Sequence, residues 1–156
     1  MASACFEIST TRDISAQILR HRSFSFQEFS QRYAEVSQPT EQPLWRRQDV
    51  TNKQNSLDDL SEEVLREADW VSANAFLVAK EAYDHLLRLG VAKECARKVL
   101  PINSPTRLYM SGTIRSWIHY LSVRRGPETQ LEHRLIADEI KNILNKQMPN
   151  LWEVLT

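Results

Sequence analysis

The longest regular pattern in the 156-residue chain runs from Ser61 to Gly90 and predicts a single long helix. Ser61, followed by two glutamates, is typical of a helix N-terminus, and Gly90 is typical of the residue that ends a helix. Between them, apolar residues recur every three or four positions, as they do along one face of a helix. These residues are Val64, Ala68, Val71, Ala75, Val78, Ala82, Leu86 and Leu89. We expect this face to be buried and the helix to be a scaffold of the core.

Shorter patterns predict the rest of the fold. Alternating residues predict one strand at residues 4–8, and residues 106–110 could form a second strand. Four more helices are predicted: from an N-cap at Thr10 to about His21 or Arg22, over residues 92–99, from Ile114 to about Arg125, and from Leu131 to Leu144. The first of these helices would place Gln17, Arg20 and His21 on one face. Together the patterns predict one α+β domain over residues 1–156, mostly helical with a small mixed or antiparallel sheet.

Two segments lack a regular pattern. Residues 34–60 are polar, contain two prolines and predict a long loop, of the kind that is often a lid or disordered. Three apolar residues near the C-terminus predict a tail that packs on the domain or on a neighbouring subunit. They are Leu151, Trp152 and Leu155.

The charge and glycine content exclude several classes of protein. The 20 Lys and Arg residues balance the 20 Asp and Glu residues, whereas a nucleic-acid-binding chain would normally be basic. The three glycines, Gly90, Gly112 and Gly126, are too far apart for a Rossmann fingerprint or a P-loop. Any bound phosphate must therefore be held by side chains. Arginine, which makes up 14 of the 20 cations, suits that task because its planar guanidinium matches phosphate.

The cysteines and histidines give no sign of a metal site. Cys5 and Cys95 are far apart, and none of the four histidines has another at metal-binding spacing. The sequence also has no charged leader before a long apolar run, and no stretch long enough to span a membrane. We therefore expect a reduced, cytoplasmic protein with no metal and no membrane partner.

The densest polar segment extends from Arg20 to Tyr33 and interleaves arginine, serine and aromatic residues. It could be a solvated turn whose aromatic residues enter the core. It could instead bind an anion, because clustered guanidinium groups repel one another unless an anion lies among them. A third alternative is a stacking surface for single-stranded nucleic acid, which the zero net charge disfavours. A second cationic group, Arg115, His119 and Arg124, falls on one predicted helix, although a cation at a helix C-terminus is also favourable by itself.

Three stretches of the sequence resemble one known family. The first is Arg20-His21-Arg22, seven residues and then Ser30, with Gln17 upstream. It closely resembles the signature of the flavin-dependent thymidylate synthases. The second stretch contains Arg97 and ends at Pro101. The third contains Thr113, Arg115, His119, Arg124, Gln130 and Glu132, and the resemblance extends from about Phe6 to Ala137.

This resemblance implies an FAD-dependent thymidylate synthase that methylates dUMP to dTMP. Methylenetetrahydrofolate would be the carbon donor and NADPH the reductant, acting through the flavin. It also implies a homotetramer with its sites at subunit interfaces. The residues implied to bind dUMP are Gln17, Arg20, Glu28, Ser30, Gln31, Arg32, Arg97 and Arg124. Those implied to bind FAD are Arg20, His21, Arg22, Glu28, Thr113, Arg115 and His119.

Within the implied site, Arg124 is the predicted catalytic residue. A guanidinium facing the uracil ring can stabilise negative charge as the ring becomes nucleophilic. Ser30 is assigned to binding, because a serine hydroxyl is a poor nucleophile without a neighbouring base.

Two departures from the family pattern bear on the function. The family normally has a further N-terminal region before its first strand, so the resemblance implies a shortened N-terminus. Thr113 also replaces an asparagine that is usual at its position, and a hydroxyl has fewer donors than an amide. The alternative function is therefore a non-catalytic nucleotide- or flavin-binding relative that has lost its activity together with that region.

Overall fold

A three-stranded antiparallel sheet forms one side of the core. The computed structural model describes residues 2–37, 40 and 42–149. Strand β1 (Ser3–Thr11) pairs along its whole length with β5 (Pro105–Thr113), and the short β2 (Ser25–Glu28) pairs with the other edge of β5. The two predicted strands are confirmed, and both are longer than predicted. Strand β2 was not predicted.

Five helices in the described part of the chain accompany the sheet and confirm the predicted α+β class. Helices α1 (Arg12–Ile18), α2 (Glu62–Arg88) and α3 (Lys93–Ala96), the last followed by a 3-10 turn at Arg97–Val99, precede β5. Helices α4 (Ile114–Arg124) and α5 (Leu131–Gln147) follow it. The predicted ends of α2 are correct, since the Ser61 side chain accepts a hydrogen bond from the Val64 backbone N–H and Gly90 has a φ of +82°.

Helices α1, α4 and α5 cover one face of the sheet. Trp117 and Tyr120 of α4 are fully buried, as are Leu108 and Met110 of β5. Ile14 and Ile18 of α1, and Ala137, Ile140 and Leu144 of α5, join the same apolar cluster. Alternate residues of β5, such as Arg107 and Tyr109, are exposed on the other face. The core therefore lies between the sheet and these three helices.

The expectation that α2 is a scaffold of the core is wrong. Val71 is 54% exposed, Val78 63% and Leu89 65%, and Ser72 and Tyr83 are the buried residues of this helix. Helix α2 packs instead on α3 and the 3-10 turn, through a small separate cluster centred on Tyr83. Helical spacing identified the apolar face correctly, but α1, α4 and α5 already cover the sheet. The described residues 2–37, 40 and 42–149 leave the valine face of α2 uncovered.

Helix α1 is shorter than predicted. It begins after Thr11 rather than Thr10 and ends at Ile18, so Arg20 and His21 lie in the following turn and share no helix face with Gln17. The chain leaves the helix there because it must turn back to place β2 against β5. The helix predicted over residues 92–99 likewise divides into α3 and the 3-10 turn.

The segment predicted as a long loop contains a small hairpin. Strands β3 (Arg47–Gln48) and β4 (Ser56–Leu57) pair in it, and the rest of the described part of residues 34–60 is irregular. Arg46 fastens this hairpin to the first turn of α5. Its guanidinium lies 2.9 Å from the Glu132 carboxylate and donates from Nε to Ser56 Oγ, also at 2.9 Å. The apolar tail predicted at residues 151–155 lies outside the described residues.

Candidate functional site

A contact between His21 and Arg124 joins two of the predicted site stretches. Arg124, the last residue of α4, donates from Nε to His21 Nε2 at 2.8 Å. His21 lies in the turn between α1 and β2. An imidazole nitrogen can accept a hydrogen bond only when it carries no proton, so His21 is neutral with its proton on Nδ1.

The surroundings of His21 keep it neutral. Partial burial, and then the neighbouring Arg124 cation and His119, lower the pKa of His21 to about 4. Because this pKa lies below the ordinary value of 6.5, the imidazole acquires its charge only in acid. At neutral pH the contact with Arg124 is therefore intact.

Aromatic rings enclose the same histidine. The Tyr120 ring lies edge-to-face with the His21 ring at a centroid distance of 4.9 Å, and the Phe24 ring lies 6.5 Å away. Phe24 also packs edge-on against Trp117 at 4.6 Å. The His21–Arg124 contact thus lies at the edge of the main core, where packing fixes its neighbours.

Glu28 is held by three side chains of its own domain. Ser15 Oγ and Thr106 Oγ1 donate to Glu28 Oε1 at 2.6 and 3.2 Å. Arg12 lies 2.9 Å from Glu28 Oε2. Both carboxylate oxygens are engaged, so Glu28 ties the end of β2 to α1 and β5.

The segment after Glu28 faces α3. Arg32 forms an ion pair with Glu94 at 3.1 Å, and about half of each side chain is exposed. Ser30 Oγ accepts weakly from the Arg32 backbone N–H at 3.4 Å. Gln31 is buried and donates to the Pro105 carbonyl at 3.4 Å. The 3-10 turn that carries Arg97 directly follows α3, the helix of Glu94.

The remaining predicted residues are divided between structural contacts and open surface. Thr113 caps α4, accepting from the Ser116 backbone N–H at 3.2 Å. Gln17 donates to Gln130 at 2.7 Å. Three of the predicted residues are exposed arginines that make no ion pair with any residue in the described ranges 2–37, 40 and 42–149. They are Arg20, Arg22 and Arg115.

The predicted site residues lie apart from one cavity in the described part of the chain. A cavity of about 500 Å³ lies beside the ends of β1 and β5, where Phe29, Thr106 and Leu135 contribute to its walls. None of the predicted site residues lines it.

In the described part of the chain there is no group of three or more His, Cys, Asp or Glu residues placed to hold a metal ion. No helix of that part is long and apolar enough to cross a membrane.

Comparison with known proteins decides the family. The family model described as thymidylate synthase complementing protein matches residues 1–150. This chain belongs to that family.

Two curated relatives and one solved structure are similar to this family member over nearly its whole length. The flavin-dependent thymidylate synthase of Synechocystis sp. is 50% identical, over 99% of this chain and 72% of its own. The probable flavin-dependent thymidylate synthase of Paramecium bursaria Chlorella virus 1 is 47% identical, over 96% of this chain and 69% of its own. The UMP/dUMP methylase PolB from Streptomyces cacaoi, bound with 5-Br UMP, superposes with a TM-score of 0.83 at 29% identity, covering 94% of this chain and 70% of its own. The predicted family membership and the prediction that the chain is an enzyme of this family are confirmed.

Sequence analysis of this family member missed two residues beside His21. Tyr120 and His133 are fully buried next to it. A signal was present for His133, which begins the buried stripe of α5 that continues through Ala137, Ile140 and Leu144. A histidine in line with such a stripe is buried, and a buried histidine has to find a polar partner.

Proposed function

We propose that this chain is a flavin-dependent thymidylate synthase that converts dUMP to dTMP. Methylenetetrahydrofolate supplies the one-carbon unit and NADPH the reducing equivalents, leaving dTMP, tetrahydrofolate and oxidised NADP. The names of the relatives and of the similar structure support methylation of dUMP. The observation that carries the proposal is the 2.8 Å contact between His21 and Arg124, because it joins the first and third motif stretches of a chain that belongs to this family.

The residues present fit a flavin dinucleotide. Arg20, Arg22 and Arg115 offer exposed guanidinium groups that no carboxylate of the described residues neutralises, and forked donors of this kind match a diphosphate. His21, His119, Thr113 and Glu28 complete the proposed FAD-binding set. These residues would hold FAD, which would supply the hydride that completes the methyl group once NADPH has reduced it.

Arg32 and Arg97 would hold the phosphate of dUMP, and Ser30 would add a hydroxyl donor. Arg32 must then exchange Glu94 for the phosphate, which costs little because exposed ion pairs contribute about 0–1 kcal/mol. Gln17 and Arg20 belong to the same proposed set. Gln31 is turned towards the Pro105 carbonyl, so its contribution would come from its backbone. A direct role for Glu28 would require the exchange of one of its three bonds.

Arg124 is the proposed catalytic residue. Its Nε is engaged by His21, which leaves the two terminal nitrogens to face the uracil ring. A guanidinium in that place stabilises the negative charge that develops as the ring becomes nucleophilic at carbon 5. Because His21 is neutral, it neither offsets nor repels the positive charge of Arg124.

The second candidate function is a relative that binds the nucleotide without turnover. It is favoured by Thr113, whose hydroxyl caps α4 and is therefore less available to a flavin than a free amide would be. This alternative keeps dUMP affinity and lacks dTMP formation.

A spectrum followed by an assay tests the proposal. We expect the purified chain to show flavin absorbance that shifts when dUMP is added, and to form dTMP when NADPH and methylenetetrahydrofolate are supplied. Binding of dUMP with no dTMP formed would favour the non-catalytic alternative. A protein that takes up neither FAD nor dUMP would refute both.

We also propose that the chain assembles as a homotetramer through the uncovered face of α2. Valines and alanines alternate there at heptad spacing, and exposed apolar faces of this extent commonly mark interfaces. The absence of the predicted site residues from the 500 Å³ cavity also supports a site completed by another subunit.

Val71→Asp should break this assembly. A carboxylate in the middle of the α2 face would be buried without a partner, so we expect a lower mass in solution and reduced FAD content, measured by light scattering and absorbance. Val50→Asp is the matched control, because Val50 is 85% exposed in the hairpin segment and should tolerate the charge. An unchanged mass for Val71→Asp would remove α2 as the interface.

A further inference from the structure

Tyr120 and His133 form a buried polar pair directly behind the His21–Arg124 contact. The Tyr120 hydroxyl and His133 Nε2 are 3.0 Å apart, and neither residue has measurable exposure. Tyr120 is on α4, four residues before Arg124, and His133 is on α5. None of the residues proposed above to bind dUMP or FAD belongs to this pair.

The pair is not explained by stability. His133 Nδ1 is buried and has no hydrogen-bond partner among the described residues. An unpaired polar atom in the interior is costly, whereas a phenylalanine and a leucine would fill a similar volume without polar atoms. A buried polar pair that carries this cost and lies beside the proposed site indicates a role other than filling the core.

The geometry shows what such a role could be. The His21 ring lies edge-to-face with the Tyr120 ring at 4.9 Å and 77°, and with the His133 ring at 6.3 Å and 84°. The hydroxyl bond to His133 restricts the Tyr120 ring to one orientation, and that ring in turn restricts the plane of His21. The plane of His21 determines where Nε2 meets Arg124.

We propose that Tyr120 and His133 are positioning residues that fix the plane of His21 and, through it, the direction of the Arg124 guanidinium. The part that concerns turnover rests on the proposed function, since it requires Arg124 to act on the uracil ring. The part that concerns the orientation of His21 does not.

The pair acts through a neutral hydrogen bond. The groups that face it are His21, Arg124 and, through His21, the more distant His119. Burial lowers the pKa of His133 to about 4, with smaller contributions from the Arg124 cation and from His21. Burial also raises the pKa of Tyr120. Both side chains are thus uncharged over the pH range in which an enzyme would be assayed.

Three variants separate positioning from stability: Tyr120→Phe, His133→Leu, and the double variant. Each single change leaves one buried group unpaired, and the double variant replaces the pair with apolar groups. We expect all three to lower kcat for dTMP formation about tenfold to a hundredfold, as displacement of a catalytic group does, with little change in the dUMP concentration required. We expect the double variant to resist unfolding at least as well as the unaltered protein.

The control is Tyr83→Phe, which removes another buried hydroxyl. The Tyr83 hydroxyl accepts from the Val36 backbone N–H at 3.3 Å in the separate α2 cluster. It should lower stability and leave kcat unchanged. A double variant with unaltered kcat would overturn the proposal.

The protonation of His21 gives a readout that is independent of turnover. In the unaltered protein, nitrogen NMR should show His21 with its proton on Nδ1 alone. In the double variant we expect a mixture of both tautomers, because the imidazole can turn away from Arg124. If the unaltered protein forms no dTMP, the proposed function fails, and the His21 signal still decides the inference: an unchanged single tautomer in the double variant would refute it.

Discussion

Arg124→Ala should lower kcat for dTMP formation by about a hundredfold to a thousandfold, the loss typical of removing one donor that stabilises transition-state charge. His21 holds the guanidinium through Nε, so the terminal nitrogens are already oriented. No further side-chain freedom has to be lost during the reaction. Alanine removes the charge and leaves water in its place. We expect a smaller effect on FAD content, because the other proposed flavin-binding cations are untouched.

Arg125→Ala is the matched control for this experiment. Arg125 is the next residue along the chain, has the same charge, and forms an ion pair with Asp138 at 2.5 Å on the outside of α5. Its removal should leave kcat unchanged, since both partners are substantially exposed. Full activity of Arg124→Ala in steady-state assays would show that another residue stabilises the developing charge.

Gly112→Ala should lower the free energy of unfolding by about 1–3 kcal/mol, the usual cost of overpacking a filled core. A Cβ on Gly112 would lie 2.5 Å from Phe24 Cδ1 and 2.7 Å from Cε1, well inside van der Waals contact. The Phe24 ring cannot easily move aside, because it packs against Trp117 at 4.6 Å and Tyr120 at 5.9 Å. Chemical unfolding at a fixed protein concentration measures the loss.

Gly126→Ala makes the same change where the neighbour can give way. Its Cβ would lie 2.6 Å from Glu128 Oε2, the end of a flexible and exposed side chain. The carboxylate can rotate away, so we expect a change within about 0.5 kcal/mol. Equal losses for the two variants would mean that contact with Phe24 is not the source of the cost. A shift of Phe24 in Gly112→Ala should also reach His21, whose ring lies 6.5 Å from it.

Much of the fold was predictable from local patterns. Ser61 and Gly90 bound α2, the alternation at residues 4–8 identified β1, and residues 106–110 were recognised as a possible second strand, which is β5. Strand β2 was not predictable in the same way, because its four residues are too few to show a period and it exists by pairing with β5. The end of α1 was predicted wrongly for the same reason, because the turn after Ile18 is needed to bring β2 against β5.

The sequence could predict which residues belong to the candidate site, but not how those residues contact one another. The spacing of Arg20-His21-Arg22 and Ser30 was enough to point to the family, which the comparison with known proteins confirms. Nothing in that spacing showed that Glu28 is held by Ser15 and Arg12, or that Tyr120 and His133 stand behind His21. The roles of the individual site residues remain predictions that the variants above test.

The two kinds of information differ because they depend on different distances along the chain. Helix caps, apolar periods and a motif of eleven residues from Arg20 to Ser30 are encoded by near neighbours, and the amino-acid sequence therefore specifies them directly. Burial and contact depend on residues brought together from far apart, such as His21 and Arg124. That is why the valine face of α2 could be recognised as apolar but not as uncovered, and why the partner of Arg124 became visible only once the chain was folded.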